Sequence, residues 1–157
     1  MSAPREDLLR PTLTRESPTL APYSVQTTFL TGFFGGPFAA LAILATNSVR
    51  LRRVSRDAPV IGAALLAVVL GGWLLFHSAA GAEVRSWFVE QFGTLASRLS
   101  RQGTGLVIVG IGYLLHRKEQ LNADLAALTR PNGWGAGLPC AFLGAGLFVA
   151  FVSIITE

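Results

Sequence analysis

Three long stretches of the chain hold no Asp, Glu, Lys, Arg or His: Phe29 to Val49, Val60 to Phe76 and Asn132 to Thr156. A helix crossing a hydrocarbon core about 30 Å thick needs roughly 20 mainly apolar residues, because in lipid every backbone N–H and C=O must be satisfied within the protein. The first and third stretches meet that length outright. The second meets it by extending into Ala58 and Pro59 on one side and His77 to Gly81 on the other. A fourth apolar run, GTGLVIVGIGYLL from Gly103 to Leu115, makes only about 20 Å of helix. It is expected to span with help from its neighbours; dipping in and returning, or packing inside the bundle, are the alternatives. Leu121, Leu125 and Leu128 continue one apolar stripe beyond it, on an extension exposed to the aqueous side.

Between the second and fourth runs the pattern changes. Val84, Trp87, Phe88, Phe92, Leu95 and Leu99 recur at helical spacing, interrupted by Arg85, Glu90, Arg98 and Arg101. That is an amphipathic helix, suited to lying flat at an interface or covering the bundle. The expectation is an all-α membrane protein of about four transmembrane helices, over 28–49, 59–80, 103–117 and 135–156, with the third short and an amphipathic interfacial helix over 83–101. Residues 24–157 form one helical membrane domain. Residues 1–23 read as a flexible polar leader, mixing Arg5, Glu6, Asp7, Arg10, Arg15 and Glu16 with Pro4, Pro11, Pro18 and Pro22. A signal peptide needs a basic start followed directly by an apolar core, which this leader lacks.

Particular residues refine the picture. Gly35, Gly36 and Pro37 interrupt the first span; proline lacks the N–H and clashes with the preceding turn, so a kink or break is expected near Gly36, facing other helices. Gly32, Gly36 and Ala40 fall at four-residue spacing, as do Gly137, Ala141 and Ala145 in the last span. Such small-residue stripes permit close helix packing. Asp57 is placed to cap the second span and Pro59 to sit in its first turn. Trp73 and Trp134 fit the interfacial aromatic belt.

Composition supports a lipid environment. Charged residues make up 14% of the chain, against about 25% in soluble domains, and mean hydropathy is +0.50. The formal net charge is +4, but the basic residues flank apolar runs, which points to membrane topology and not to nucleic acid. The densest cluster, Arg50, Arg52, Arg53 and Arg56, is expected to be cytoplasmic. With four spans, the Arg117, Lys118 and Arg130 link is cytoplasmic too, and both termini are external.

No catalytic constellation is legible. His77 and His116 lie near different helix ends, no carboxylate falls within an expected span, and Cys140 is the single cysteine. GTGLVIVGIG lacks the Lys-Ser/Thr ending of a phosphate loop and the strand-first order of a dinucleotide site. The few polar residues in apolar runs have structural readings: Asn47 caps or bonds across the bundle, while Thr31, Thr46 and Ser153 bond back to their own helices. Neither a cofactor nor a metal is expected.

The stretch Tyr23 to Leu51 resembles the opening of a small uncharacterised bacterial integral membrane protein family. Tyr23 and Ser24 match its Tyr-Ser start, Phe34, Gly35, Gly36 and Pro37 its Gly-Gly-Pro step, and Asn47 the asparagine before a basic link. The tail from Gly133 resembles the family's final helix, which usually opens with Gly-Gly and a Ser-Trp pair where this chain has Gly133, Trp134 and Gly135. The match covers about a third of the chain and implies fold and membrane placement, without an activity. The resulting expectation is a non-enzymatic, multi-pass protein of the bacterial inner (cytoplasmic) membrane. It contacts membrane lipid and acts as a structural or accessory subunit, by helix packing in a homo-oligomer or larger complex. A small oligomeric transporter or channel is the alternative.

Overall fold

The computed structural model describes residues 20–125 and 128–156. They are helical throughout, with no strand among the described residues: α1 Val25–Arg50, α2 Val54–His77, α3 Ala79–Phe92, a single 3-10 turn at Gly93–Leu95, α4 Ala96–Leu125 and α5 Gly133–Thr156. Three of them, α1, α2 and α5, are long and apolar enough to cross a membrane. This agrees with an all-α membrane protein. The leader expected over 1–23 lies outside the described residues as far as residue 19.

The first span departs from a straight crossing helix. Gly36 has φ 75° and ψ −161°, well outside the helical region, and Pro37 follows it. The chain reverses there. In an unbroken helix, Tyr23 and Asn47 would stand about 36 Å apart at 1.5 Å per residue. Instead the Tyr23 N–H donates to Asn47 Oδ1 at 2.8 Å, and Arg50 Nε donates to the Ala21 carbonyl at 2.9 Å. Near the reversal, a Cβ added at Gly32 would lie 3.3 Å from that of Ala40. So α1 is a helical hairpin with arms over 25–35 and 37–50, about 16 and 21 Å long. Neither arm spans a bilayer alone.

This hairpin is the centre of the bundle. In the most apolar window of α1, 61% of residues are buried, against 0% in α2 and 11% in α5. Ala40, Leu41 and Leu44 of the second arm pack with Ile108 and Val109 of α4, and Ile61, Ala64 and Val68 of α2 close over them. On the other side α5 runs against both arms, with Gly133 beside Thr27, Gly137 beside Thr31, and Gly35 and Ala39 against Ala141 and Gly144. A backbone reversal at depth is tolerable in lipid only when protein surrounds it, and here α2, α4 and α5 do so.

Two further boundaries differ from the sequence expectation. The amphipathic stretch is not one helix: Gly93, at φ 54°, ends α3, and residues from Ala96 onward join the doubtful third span in a continuous α4 of 30 residues. That helix is about 45 Å long, but it is not among the three apolar enough to cross a membrane, because Arg98, Arg101, Arg117, Lys118, Glu119 and Asp124 lie within it. The second span starts earlier, at Val54, with Arg53 in the N-cap position and no side-chain cap. Asp57 is therefore inside the first turn, and Pro59 lies beyond it within the helix.

Candidate functional site

The hairpin reversal returns the end of α1 to where the chain enters it, and a tight turn then sets the start of α2. Leu51 closes α1. Arg52, at φ 53°, takes the left-handed position, and the Arg53 N–H bonds back to the Ser48 carbonyl at 2.9 Å while the Arg52 N–H reaches Val49 at 3.0 Å. That is the Schellman pattern of helix termination. It starts α2 immediately, so Asp57 in the first turn of α2 faces Ser48 in the last turns of α1.

His116 of α4 completes the group. Its Nε2 lies 2.8 Å from Asp57 Oδ2, and Ser48 Oγ donates to the same carboxylate oxygen at 2.8 Å. Ser48, Asp57 and His116 are 1%, 1% and 2% exposed. One hydrogen bond between Nε2 and Oδ2 joins α4 to α2. Ser48 Oγ also lies 3.1 Å from the Leu44 carbonyl, the usual back-bond of a helical serine. Asp57 Oδ1 has no hydrogen-bond partner, and its nearest cation is Arg53 Nε at 3.9 Å. Arg53 also pairs with Glu119 of α4. The charged residues thus tie α1, α2 and α4 at one point.

A second polar layer lies alongside. The two backbone groups of Tyr23, its N–H and C=O, bond to Asn47 Oδ1 and to Gln120 Nε2, at 2.8 and 2.9 Å. Arg130, just before α5, donates to Gln120 Oε1 at 2.9 Å and pairs with Asp124. Arg50 lies over the Tyr23 ring at 5.0 Å. This layer satisfies the backbone groups of the chain as it enters the first arm. Both layers occupy the end of the bundle that carries Arg50, Arg53, Arg56 and Lys118.

The Ser48, Asp57 and His116 group is not arranged for nucleophilic catalysis. In a nucleophile–base–orienter relay the serine and the carboxylate engage different ring nitrogens of the histidine. Here both converge on Nε2, with Ser48 Oγ at the longer distance of 3.5 Å. The adjoining cavity, lined by Thr28, Asn47, His116 and Gln120 among others, measures about 20 Å³. That is room for about one water molecule. The arrangement can hold three helices in register; the adjoining cavity has no space for a substrate.

The residues singled out from the sequence lie in several places. Gly32 and Gly36 contact α4, where a Cβ on Gly36 would fall 2.7 Å from Arg101 Cγ; Ala40 is in the core. Gly137 and Ala141 face the hairpin, and Ala145 is partly buried. Arg52 and Arg56 are exposed beside the clamp, which Arg50 and Arg53 join. His77 is exposed and stacks near Trp73, with ring centroids 5.3 Å apart. Thr46 bonds back to the Ala42 carbonyl as expected, at 2.8 Å. The reading of Asp57 as a cap is corrected: Arg53 holds the N-cap position, and Asp57 partners His116. The signal for it was Asp57 itself, an acid in the first turns of an apolar helix, whose partner sits 59 residues away.

Neither protein families, nor curated proteins, nor solved structures yield a match to this chain.

Proposed function

We propose that this chain is a non-enzymatic, multi-pass protein of the bacterial inner membrane that serves as a structural or accessory subunit. The observation that carries the reading is the direction of its buried polar groups. Ser48, Asp57 and His116 point at one another, and Asn47 and Gln120 point at Tyr23, so the hydrogen bonds they form join helices. A reacting or transporting site needs such groups convergent on space that a ligand can occupy.

The surface left for a neighbour is not the pair of small-residue stripes, since those are occupied inside the bundle. It is the outward side of α2, where Gly62 meets nothing within 4 Å and Leu66 and Trp73 are exposed on the same face. Orientation follows from the hairpin. Both its ends lie with Arg50, Arg53, Arg56, Arg117, Lys118 and Arg130, whereas Arg85, Arg98 and Arg101 lie toward the opposite end. The positive-inside rule puts the first group in the cytoplasm. The crossing helices are then α2, α4 and α5, with Leu20 cytoplasmic and Thr156 external, in place of two external termini.

Photocrosslinking from Leu66 in native membranes tests the subunit reading. One protein neighbour, whether a second copy or a single other chain, should be captured in stoichiometric yield. Adducts to lipid alone would reject it. The alternative, an oligomeric transporter or channel, draws on the helix break at Gly36, since broken membrane helices form binding sites in transporters. It requires solute flux in proteoliposomes under an imposed gradient, and an absence of flux removes it.

A further inference from the structure

At the end of the bundle away from the Ser48, Asp57 and His116 group, α4 and α5 frame an open cleft of about 360 Å³. Ser97, Arg98 and Arg101 line it from α4, and Phe148, Val152 and Ser153 from α5. A volume of this order is typical of small-ligand sites. Its chemistry is unbalanced: the two guanidinium groups stand three residues apart on one helix, and neither forms an ion pair with a described residue. Arg101 packs against Phe148, 6.0 Å from the ring centre, and its Nε is buried with no hydrogen-bond acceptor. A buried donor without an acceptor is costly, and native structures rarely leave one so.

We infer that this cleft binds the phosphate of an anionic phospholipid or of a soluble phosphate ester. Guanidinium groups match phosphate oxygens in a bidentate fork, and Arg98 and Arg101 line the cleft together. The Ser97 and Ser153 hydroxyls offer further donors, and Phe148 and Val152 offer apolar walls to the remainder of the ligand. Depth favours the lipid source. Arg98 and Arg117 stand 19 residues apart on α4, about 28 Å along a helix. With Arg117 at one headgroup layer, Arg98 reaches the other and Arg101, about 24 Å along the helix, lies one turn short of it. Basic pockets between membrane helices at that level hold lipid headgroups.

The test uses the full-length protein in nanodiscs containing both phosphatidylglycerol and phosphatidylcholine, with retained lipid read by native mass spectrometry. Selective retention of phosphatidylglycerol is expected, falling about tenfold for each arginine lost in R98Q and R101Q. The exposed pair R117Q/K118Q, at the other end, should retain it as the wild type does. In discs of phosphatidylcholine alone, titration with glycerol 3-phosphate identifies a soluble ligand if the lipid arm shows no preference. Should the arginine variants not fold, S153L fills the cleft and leaves both arginines in place; it should cause a similar loss. The inference is overturned if neither phosphate source binds, or if R98Q/R101Q or S153L binds as well as the wild type.

Discussion

The Asp57–His116 pair gives the sharpest test of how this bundle is held. Both side chains are almost completely buried, at 1% and 2% exposure, and Nε2 lies 2.8 Å from Oδ2. His116→Leu leaves the Asp57 carboxylate with one hydroxyl donor, Ser48, and with Arg53 at 3.9 Å. Asp57→Leu leaves the imidazole with Ser48 Oγ at 3.5 Å. Breaking a buried pair from one side costs about 3–5 kcal/mol, because the remaining group stays desolvated. Replacing both with leucine removes the stranded group and restores most of that loss. The double-mutant cycle should therefore show a coupling of about 2 kcal/mol or more. Neutral hydrogen bonds between membrane helices average only about 0.6 kcal/mol, so the expected coupling stands clear of them. Any change in the α2 macrodipole on losing Asp57 appears in both the single and the double variant and cancels. Equilibrium unfolding in mixed micelles, followed by fluorescence of Trp73, Trp87 and Trp134 in α2, α3 and α5, reads the cycle. A coupling below about 0.5 kcal/mol, the ordinary error of additivity, would refute the clamp.

The glycines should separate by sign in an alanine scan under the same conditions. Gly105→Ala drives a Cβ into the Gly32 carbonyl, and Gly144→Ala drives one into the Ala39 backbone; neither obstacle can move aside, so each should lose about 1–3 kcal/mol. Gly62→Ala and Gly146→Ala meet open space and should gain about 0.5–1 kcal/mol; a loss at both would contradict the packing. In a Cys140→Ala background, cysteines at Leu20 and Arg56 should react with an impermeant thiol reagent from the same side of sealed vesicles, and one at Ala80 from the other. Labelling of Leu20 and Arg56 from opposite sides would mean that α1 crosses. Gln120→Leu strips the acceptor from Arg130 Nη1 and the donor from the Tyr23 carbonyl, and should cost about 1–3 kcal/mol in the unfolding assay.

Much of the architecture was legible in the sequence because hydrophobic length is a one-dimensional property. The charge-free stretches located α1, α2 and α5, and the helical spacing of Val84, Phe88 and Phe92 located α3. What failed was the treatment of the stretch from Glu83 to Arg101 as one element and of Gly103 to Leu115 as another. The boundary lay at Gly93, where a left-handed φ turns the chain, while the charged residues Arg98 and Arg101 concealed the start of a long helix. Charge content marks where a helix meets water or headgroups; it does not mark where the helix begins.

The reversal in α1 was legible as a break but not as a hairpin, and the polar site depended on that difference. Gly35, Gly36 and Pro37 announce that a helix cannot continue straight, yet a kink of any angle satisfies that chemistry. The angle is selected by long-range contacts: small residues at Gly32, Gly35, Ala39 and Ala40 let the arms approach each other, and Gly105 and Gly144 let α4 and α5 close on them. Had α1 run straight, Tyr23 and Asn47 would sit at opposite ends of about 36 Å of helix. Folding α1 back joins Tyr23 to Asn47 and separates the described basic residues unequally between the two ends. The same fold sets Ser48 beside the start of α2, and so gives a carboxylate at residue 57 and an imidazole at residue 116 one shared, buried position. A single glycine at φ 75° thus decides where the polar site forms, and no local pattern around Asp57 or His116 carries that information.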